Sequence, residues 1–470
     1  MTLYRSQRLA LRYFRAAILL FGVMIAAGLL TAVYYQRFGF LLNTFHFSTA
    51  KILHIDSLVL WLLMGFLGAV YWFLPLELER EVEGIGLAEK AFWVFVGTVA
   101  AVAATLIVFQ HGGTDISSLW LINQGRKFVE APRWACLLIA GVIVLFGVNV
   151  AATAIRARRM TGILAVLIAD LVPLTVLFLN AFSFEPNMSK DLFWWWWLIH
   201  LWVEATWEVF IGCVLAWSLL HLLGASRAIV ESWLYVEVAL VLGTGILGLG
   251  HHYFWIGTPS YWLGIGGFFS ALEPLPLLGM VIHAVYDAGA HQHQLTNRPA
   301  FAWLLAEAFG NFLGAGVWGF MMTLPQINLF AHGTQWTASH AHFSFWGAYG
   351  CAVLSVIYLV LQKARAGNGP FESRAWKWAF ALLNLGLVGM AGSLLIAGMA
   401  QAFYERAIGG STFQAFLLGQ ANRWVAEGLQ ARTLFGLVFA AGYFVLLFDL
   451  WTIGKGSRAP RIPASTEAAR

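Results

Sequence analysis

A chain that crosses a lipid bilayer is confined to helices or closed barrels, because each backbone N–H and C=O in the hydrocarbon must be paired within the protein. This sequence carries that constraint along nearly its whole length. A spanning helix takes roughly 20 mainly apolar residues, and about twelve such stretches can be drawn, centred near residues 24, 62, 99, 145, 171, 207, 242, 275, 313, 350, 387 and 443. Only 11% of the 470 residues are charged, against about 25% in a soluble domain, which excludes a water-soluble globular fold. The expected fold class is all-α: a polytopic membrane bundle of about twelve transmembrane helices. Residues 1–454 form a single transmembrane domain, and 455–470 a flexible polar tail.

The net charge of +5 does not point to nucleic acid, since the cations sit between apolar stretches and read as topology signals. The opening segment MTLYRSQRLALRYFRAAILLFGVMIAAGLLTAVYYQ is basic, then apolar for longer than the ~7–15 residues of a cleaved signal core, and is read as a retained first helix. With twelve spans, Arg5, Arg8, Arg12 and Arg15 share a side with Arg156, Arg158 and Arg159, with Lys363, Arg365, Arg374 and Lys377, and with Lys455, Arg458 and Arg461. Both termini are therefore expected on the cytoplasmic face. The connector with Glu77, Glu79, Glu81 and Glu83 is acidic, but acids weigh little in this rule. On the other face, residues 111–133 and 401–432 form the longest loops, either partner contacts or simple connectors. Cys136, Cys213 and Cys351 lie in apolar runs without a C-x-x-C-H and read as packing residues.

Of 13 histidines, six lie within apolar runs: His54, His200, His251, His252, His340 and His342. His46, His111, His221, His291, His293 and His332 fall in connectors or near helix ends and read as ordinary; His283 is unassigned. Ionisable groups inside a membrane mark functional sites by default, although a single one is equally well explained by an interhelical hydrogen bond. Counted along helices of alternating direction, all six fall roughly 8–15 Å below the outer surface. Four helices thus deliver imidazoles to one layer, which implies a metal centre. His340 and His342 are about 200° apart around their helix and point to opposite sides, so one helix can ligate two hemes. A bis-histidine heme needs a second ligand, and His54 is available; a heme held by His340 alone keeps one face open. His251 and His252, about 100° apart, can grip one metal with His200. In HLWVEATWE, His200, Glu204 and Glu208 are spaced i, i+4, i+8 on one face. Mixed histidine–carboxylate ligation suits iron, whereas three imidazoles alone suit copper as well. The alternative role for Glu204 is to accept a hydrogen bond from Trp202 or Trp207. Glu208, and Glu273 in ALEPLP, can relay protons that an apolar interior otherwise lacks, or make structural hydrogen bonds.

Together HIDSLVLWLLMGFLGAVYWFLP, WWWWLIHLWVEATWE, GLGHHYFWIGTPSYWL, ALEPLP, GAGVWGF and HGTQWTASHAH resemble the large subunit of bacterial nitric oxide reductases, within the heme-copper oxidase superfamily. The resemblance implies a low-spin b-type heme on His54 and His342, a high-spin b-type heme on His340, and a non-heme iron on His200, His251, His252 and Glu204. It implies that Glu208 and Glu273 serve proton delivery and shape the site. Two nitric oxide molecules, two electrons and two protons would give nitrous oxide and water. It further implies a bacterial inner membrane, an active site nearer the periplasmic side, and protons arriving from that side without pumping. No quinol-type N-terminal extension precedes the first helix and no heme c motif is present, which resembles the branch that takes electrons from a separate membrane-anchored cytochrome c subunit. In GRKFVEAP, Lys127 stands where the family carries a glutamate that helps bind calcium, while Glu130 remains. The expectation is that the Lys127 ammonium neutralises the heme propionates in place of the calcium.

Three rivals stay open. A C-type oxygen reductase shares the HH and HxH patterns, but its tyrosine, counted back without gaps, would fall on Phe312. The A-type tyrosine position, one turn after the helix-six histidine, holds Glu204. A non-redox transporter would use the histidines and acids as a proton relay and bind no heme. A family member that senses or dismutates nitric oxide is the third.

Overall fold

The structure is a computed structural model that describes residues 3–36, 44–110, 129–183, 185–272, 275–291, 295–365, 373–408, 417 and 422–452. Lys127, Glu273, the region 111–128 and the expected tail at 455–470 lie outside the described residues. Among the described residues, twelve helices are long and apolar enough to cross a membrane: α1 (Arg5–Tyr34), α2 (Phe47–Leu78), α3 (Ile85–Val108), α4 (Arg133–Ala157), α5 (Gly162–Asn180), α6 (Met188–Leu223), α7 (Arg227–His252), α8 (Tyr261–Ala290), α9 (Arg298–Thr323), α10 (Gln335–Arg365), α11 (Ala375–Tyr404) and α12 (Arg423–Thr452). All twelve apolar stretches read from the sequence are among them.

The helices are not equivalent. The apolar windows of α2, α6 and α10 are 83%, 83% and 89% buried, whereas those of the other nine are 28–44% buried. A helix that is apolar all round belongs in the interior of a bundle. Every fourth helix is therefore enclosed by the rest, and these three carry His54, His200, Glu204, Glu208, His340 and His342. Around them, α1 packs along α2, α11 against both α10 and α12, and α9 against α10.

Close approach of α9 to α10 depends on glycine. A Cβ on Gly310 would lie 2.7 Å from the Gly347 backbone, and one on Gly314 would lie 2.8 Å from that of Phe343. Small residues at such crossings let helix backbones touch, a major source of attraction where no water is expelled. Three helices also contain a widened π-helical turn: Trp202–Trp207 in α6, Phe312–Trp318 in α9 and Phe345–Gly350 in α10. Such turns add one residue and re-aim the side chains that follow.

The acidic stretch that ends α2 and follows it has a structural purpose. Glu77, 4% exposed, takes both Nη atoms of Arg227 at 2.8 Å and ties α2 to the start of α7. Glu79 pairs with Arg159 at 3.4 Å. Glu81 accepts the backbone N–H groups of Arg5 and Ser6 at 2.5 and 3.1 Å, and so caps α1 from a distant part of the chain. Burial pushes the Glu81 pKa up, but hydrogen bonds from Ser6, Val82 and Arg5 outweigh it and hold the carboxyl below its ordinary range. A depressed carboxylate pKa adds stability that is complete above the unfolded value, near 4.3, and fades as pH falls through the folded one. Glu81→Ala should therefore cost about 1 kcal/mol at neutral pH, read as a lowered thermal midpoint in detergent. The gap between variant and parent should close below about pH 4.

Candidate metal centre

Four helices bring the intramembrane histidines together, three of them the enclosed ones. Ligand atoms of His200, Glu204, His251 and His252 all lie within 4.8 Å of one another. His200 Nε2 is 2.9 Å from Glu204 Oε2, and His252 Nε2 is 3.9 Å from Glu204 Oε1. The three imidazole rings have centroids 4.1–5.3 Å apart, and His252 stacks on Trp196 at 4.3 Å.

Two of these rings are held by their other nitrogen. His200 Nδ1 donates to Gly245 O at 2.9 Å, and Gly245 can approach because a Cβ there would meet that of Ala205 at 3.2 Å. His251 Nδ1 is 2.8 Å from Ser270 Oγ, and Asn328 Nδ2 donates to the His251 carbonyl. With Nδ1–H committed, Nε2 of His200 presents a lone pair, and among the described residues it is buried without a hydrogen-bond partner. Two electron-pair donors facing each other at 2.9 Å require a cation or proton between them. The donor set of three imidazoles and one carboxylate fits a first-row metal, and the bonds to Nδ1 are the outer support such ligands use.

A cavity of about 330 Å³ is lined by this cluster, by Glu208 and by His340. The His340 Nδ1 donates to Gly314 O at 3.0 Å, with Ser344 Oγ at 3.1 Å, so the glycine seam between α9 and α10 also orients this ring. His342 points away, as its spacing requires, and faces His54 with ring centroids 6.0 Å apart and planes at 30°. His54 Nδ1 donates to Met24 O at 2.8 Å and His342 Nδ1 to Ala338 O at 2.7 Å. Two imidazoles bound through Nε2 to one metal, at about 2 Å each, would have centroids about 6 Å apart. The pair therefore fits a bis-histidine metal. Arg432 lies beside it, over the Tyr35 ring at 4.9 Å, a half-buried cation suited to an anionic edge.

His200, Glu204, His251 and His252 lie together, His54 faces His342, and Glu208 shares a cavity with His340, while Glu273 lies outside the described residues. Glu204 does not serve the tryptophans: Trp202 donates to Leu174 O, and the Trp207 indole N–H has no partner among the described residues. The metal-cluster residues lie at unequal distances from their helix ends. His200 lies twelve residues, about 18 Å, into α6, whereas His252 is the last residue of α7. The ends are not level, and the groups meet because α7 stops inside the bundle. His332, set aside as ordinary, lines the cavity. Sequence reasoning also passed over Ser270, Asn328, Ser344 and Tyr349. Tyr349 follows His342 by seven residues and in an undistorted helix would share its side. The π-helical turn Phe345–Gly350 coincides instead with Tyr349 facing the cavity, its hydroxyl 3.4 Å from Val203 O.

A family model described as Cytochrome C and Quinol oxidase polypeptide I matches residues 8–444. The chain is 35% identical over 475 residues to a nitric oxide reductase subunit of Stutzerimonas stutzeri, covering 99% of this chain and 98% of that one. It is 22% identical over 243 residues to the Cbb3-type cytochrome c oxidase subunit CcoN1 of the same organism, covering 52% of this chain and 50% of that one. A cytochrome c oxidase subunit 1 homolog of Agrobacterium tumefaciens is 25% identical over 201 residues, covering 43% and 37%.

Two sites test this architecture. A Cβ on Gly28 would lie 2.8 Å from the His54 ring, so Gly28→Val should abolish occupancy of the His54–His342 pair, measured by visible absorption. Gly86→Ala, in open space, should not. Ser270→Ala should weaken metal retention in the His200 cluster by about 10–100-fold, measured by competition with a chelator.

Proposed function

The chain belongs to the cytochrome c and quinol oxidase polypeptide I family, and on that premise we propose that it is the catalytic subunit of a membrane nitric oxide reductase. The reaction is 2 NO + 2 e⁻ + 2 H⁺ → N₂O + H₂O. One observation carries the reading: a glutamate oxygen sits 2.9 Å from an imidazole nitrogen in the three-histidine cluster, in the wall of a cavity that His340 also lines. The whole-length similarity to a nitric oxide reductase subunit supports it. In the cytochrome oxidase reading, copper would take imidazoles alone, and Glu204 would have no ligand role.

In this assignment His54 and His342 hold a low-spin b-type heme, His340 holds a high-spin b-type heme, and His200, His251, His252 and Glu204 hold a non-heme iron. When bound, these groups would relay the electrons and supply the Lewis acidity that the coupling needs. The chain's own residues do the rest. The Nδ1 anchors on Gly245, Ser270, Gly314 and Met24 fix the rings before substrate arrives. Glu204 brings a negative charge to the site, which offsets a divalent cation in an apolar interior. Ile199, Val203, Phe345 and Ala348 line the cavity, exclude bulk water and admit a small uncharged gas. Glu208, in the same wall, holds a proton within reach of the cavity. Glu273 has the same role in this proposal, and Lys127 and Arg432 meet the heme carboxylates in place of calcium. Electrons come from a membrane-anchored cytochrome c subunit. The protein lies in a bacterial inner membrane with both termini cytoplasmic and the metal layer nearer the periplasm. The arginine clusters at α1 and between α4 and α5 support that orientation.

Purified protein should contain two b-type hemes and one non-heme iron per chain. Glu204→Ala should lower nitric oxide consumption by about 100-fold or more while the hemes remain. Stoichiometric copper in place of iron would favour the oxygen reductase, and an absence of heme absorption the transporter.

A further inference from the structure

The widened turn Trp202–Trp207 of α6 carries Glu204, the carboxylate on which the proposed site depends. Such turns are rare within helices and persist where their surroundings hold them. A widened turn advances fewer degrees per residue than an α-turn, so it also settles where Glu204 points relative to His200. Two tethers hold it, one from each neighbouring side. From α5, Leu174 O accepts the Trp202 indole N–H at 3.1 Å, and Phe178 stacks on the Trp202 ring at 5.5 Å. From α10, Tyr349 donates its hydroxyl to Val203 O at 3.4 Å, and its ring stands edge-on to that of Trp207 at 6.0 Å.

Tyr349 therefore grips the turn on both sides of Glu204: the carbonyl one residue before it and the ring three residues after it. The phenol is itself fixed. Its residue is 4% exposed, and the rings of Phe345 and Phe66 lie 5.8 and 6.1 Å from its own. Its place follows from the second widened turn, Phe345–Gly350, since a regular helix would carry a residue seven after His342 to the side of His342. Tyr349 instead lines the cavity of Glu204, Glu208 and His340. Two widened turns on different helices thus meet through one side chain. Packing alone would be served equally by phenylalanine, which fills the same space; the hydroxyl is what reaches the Val203 carbonyl.

We propose that Tyr349 is a positioning residue of the metal cluster: by holding Val203 O, its hydroxyl keeps the widened turn of α6 in the shape that aims Glu204 at His200 and His252. The proposal rests on the reductase reading and adds a residue to it. Tyr349 acts through the turn and exchanges no proton, bond or electron. Without the hydroxyl the turn relaxes, the carboxylate swings away from the imidazoles, and three histidines are left to hold the metal. An outer residue that orients a ligand governs metal retention. An anionic oxygen beside the metal also favours the ferric over the ferrous state by Coulomb attraction, so its withdrawal favours the ferrous.

The test uses the complete protein in detergent with its hemes bound. Tyr349→Phe keeps the ring and removes the hydroxyl. Iron is withdrawn from parent and variant by competition with a ferrous chelator, and the midpoint potential of the non-heme iron is titrated beside those of the hemes. The variant should release iron about tenfold more readily. Its iron potential should rise, while that of the heme on His54 and His342 stays in place. A second measurement isolates the route. In a Glu204→Gln background the same substitution should lower iron retention no further, because residues acting through one contact are not additive. Equal retention and potential in Tyr349→Phe, or losses that add in the double variant, would overturn the proposal. Should Tyr349→Phe lose its hemes, the parent alone decides. With ring-labelled tyrosine, stripping its iron should give a phenol C–O difference band in the infrared, and the lack of that band overturns the proposal as well. A parent without heme or non-heme iron would instead sink the reductase reading itself.

Discussion

Imidazoles kept out of water and aimed at a common centre need their outer nitrogens held, and that demand organises this molecule. At His54, His200 and His340 the ring nitrogen turned from the centre donates to a backbone carbonyl of another helix, at 2.8–3.0 Å, and at His342 to Ala338 O on its own helix at 2.7 Å. The opposite nitrogen is left as an electron-pair donor aimed inward. Helical backbone carbonyls are normally consumed by their own ladder, so a neighbouring ring reaches one only as a second, shared bond and only where the helices touch. The metal site is therefore inseparable from the packing of the helices around it.

Glycine and the π-helical turn are the two devices that make such contact possible. Gly310, Gly314 and Gly347 bring α9 against α10, and the same seam presents Gly314 O to His340. Gly245 does the equivalent for His200. The widened turns in α6, α9 and α10 all lie along one cavity, where Glu204, Ala315 and Tyr349 contribute to the wall. An ordinary helix repeats its faces too regularly to aim both a ligand and the residues beyond it at the same space. Gly212 is a third use of glycine, making room for a carboxyl from the neighbouring helix instead of for a backbone.

The similarity pattern is consistent with this division. Likeness to oxygen-reducing relatives extends over about half the chain, whereas likeness to the nitric oxide reductase relative runs end to end. In the proposed assignment a scaffold of imidazoles suits several metals, and the carboxylate within the cluster favours iron. The acidic connector after α2, which carries no weight as a topology signal, is a set of staples: it caps α1, fastens α7 and pairs with Arg159.

By itself the sequence determined what depends on composition and local period. Apolar length dictated twelve helices, because unpaired backbone cannot sit in hydrocarbon. The two-residue spacing of His340 and His342 dictated opposite faces, and the four-residue spacing of His200 and Glu204 a shared one, because helical rotation per residue is nearly constant. Only the tertiary structure decided what depends on how helices meet. It made α2, α6 and α10 the enclosed ones and recruited Ser270, Asn328 and His332. It also turned Tyr349 toward the cavity and set Glu237 against Gly212. No local pattern announces these, since each is a contact between segments far apart in the chain, fixed by interhelical packing and by turns that depart from the regular period.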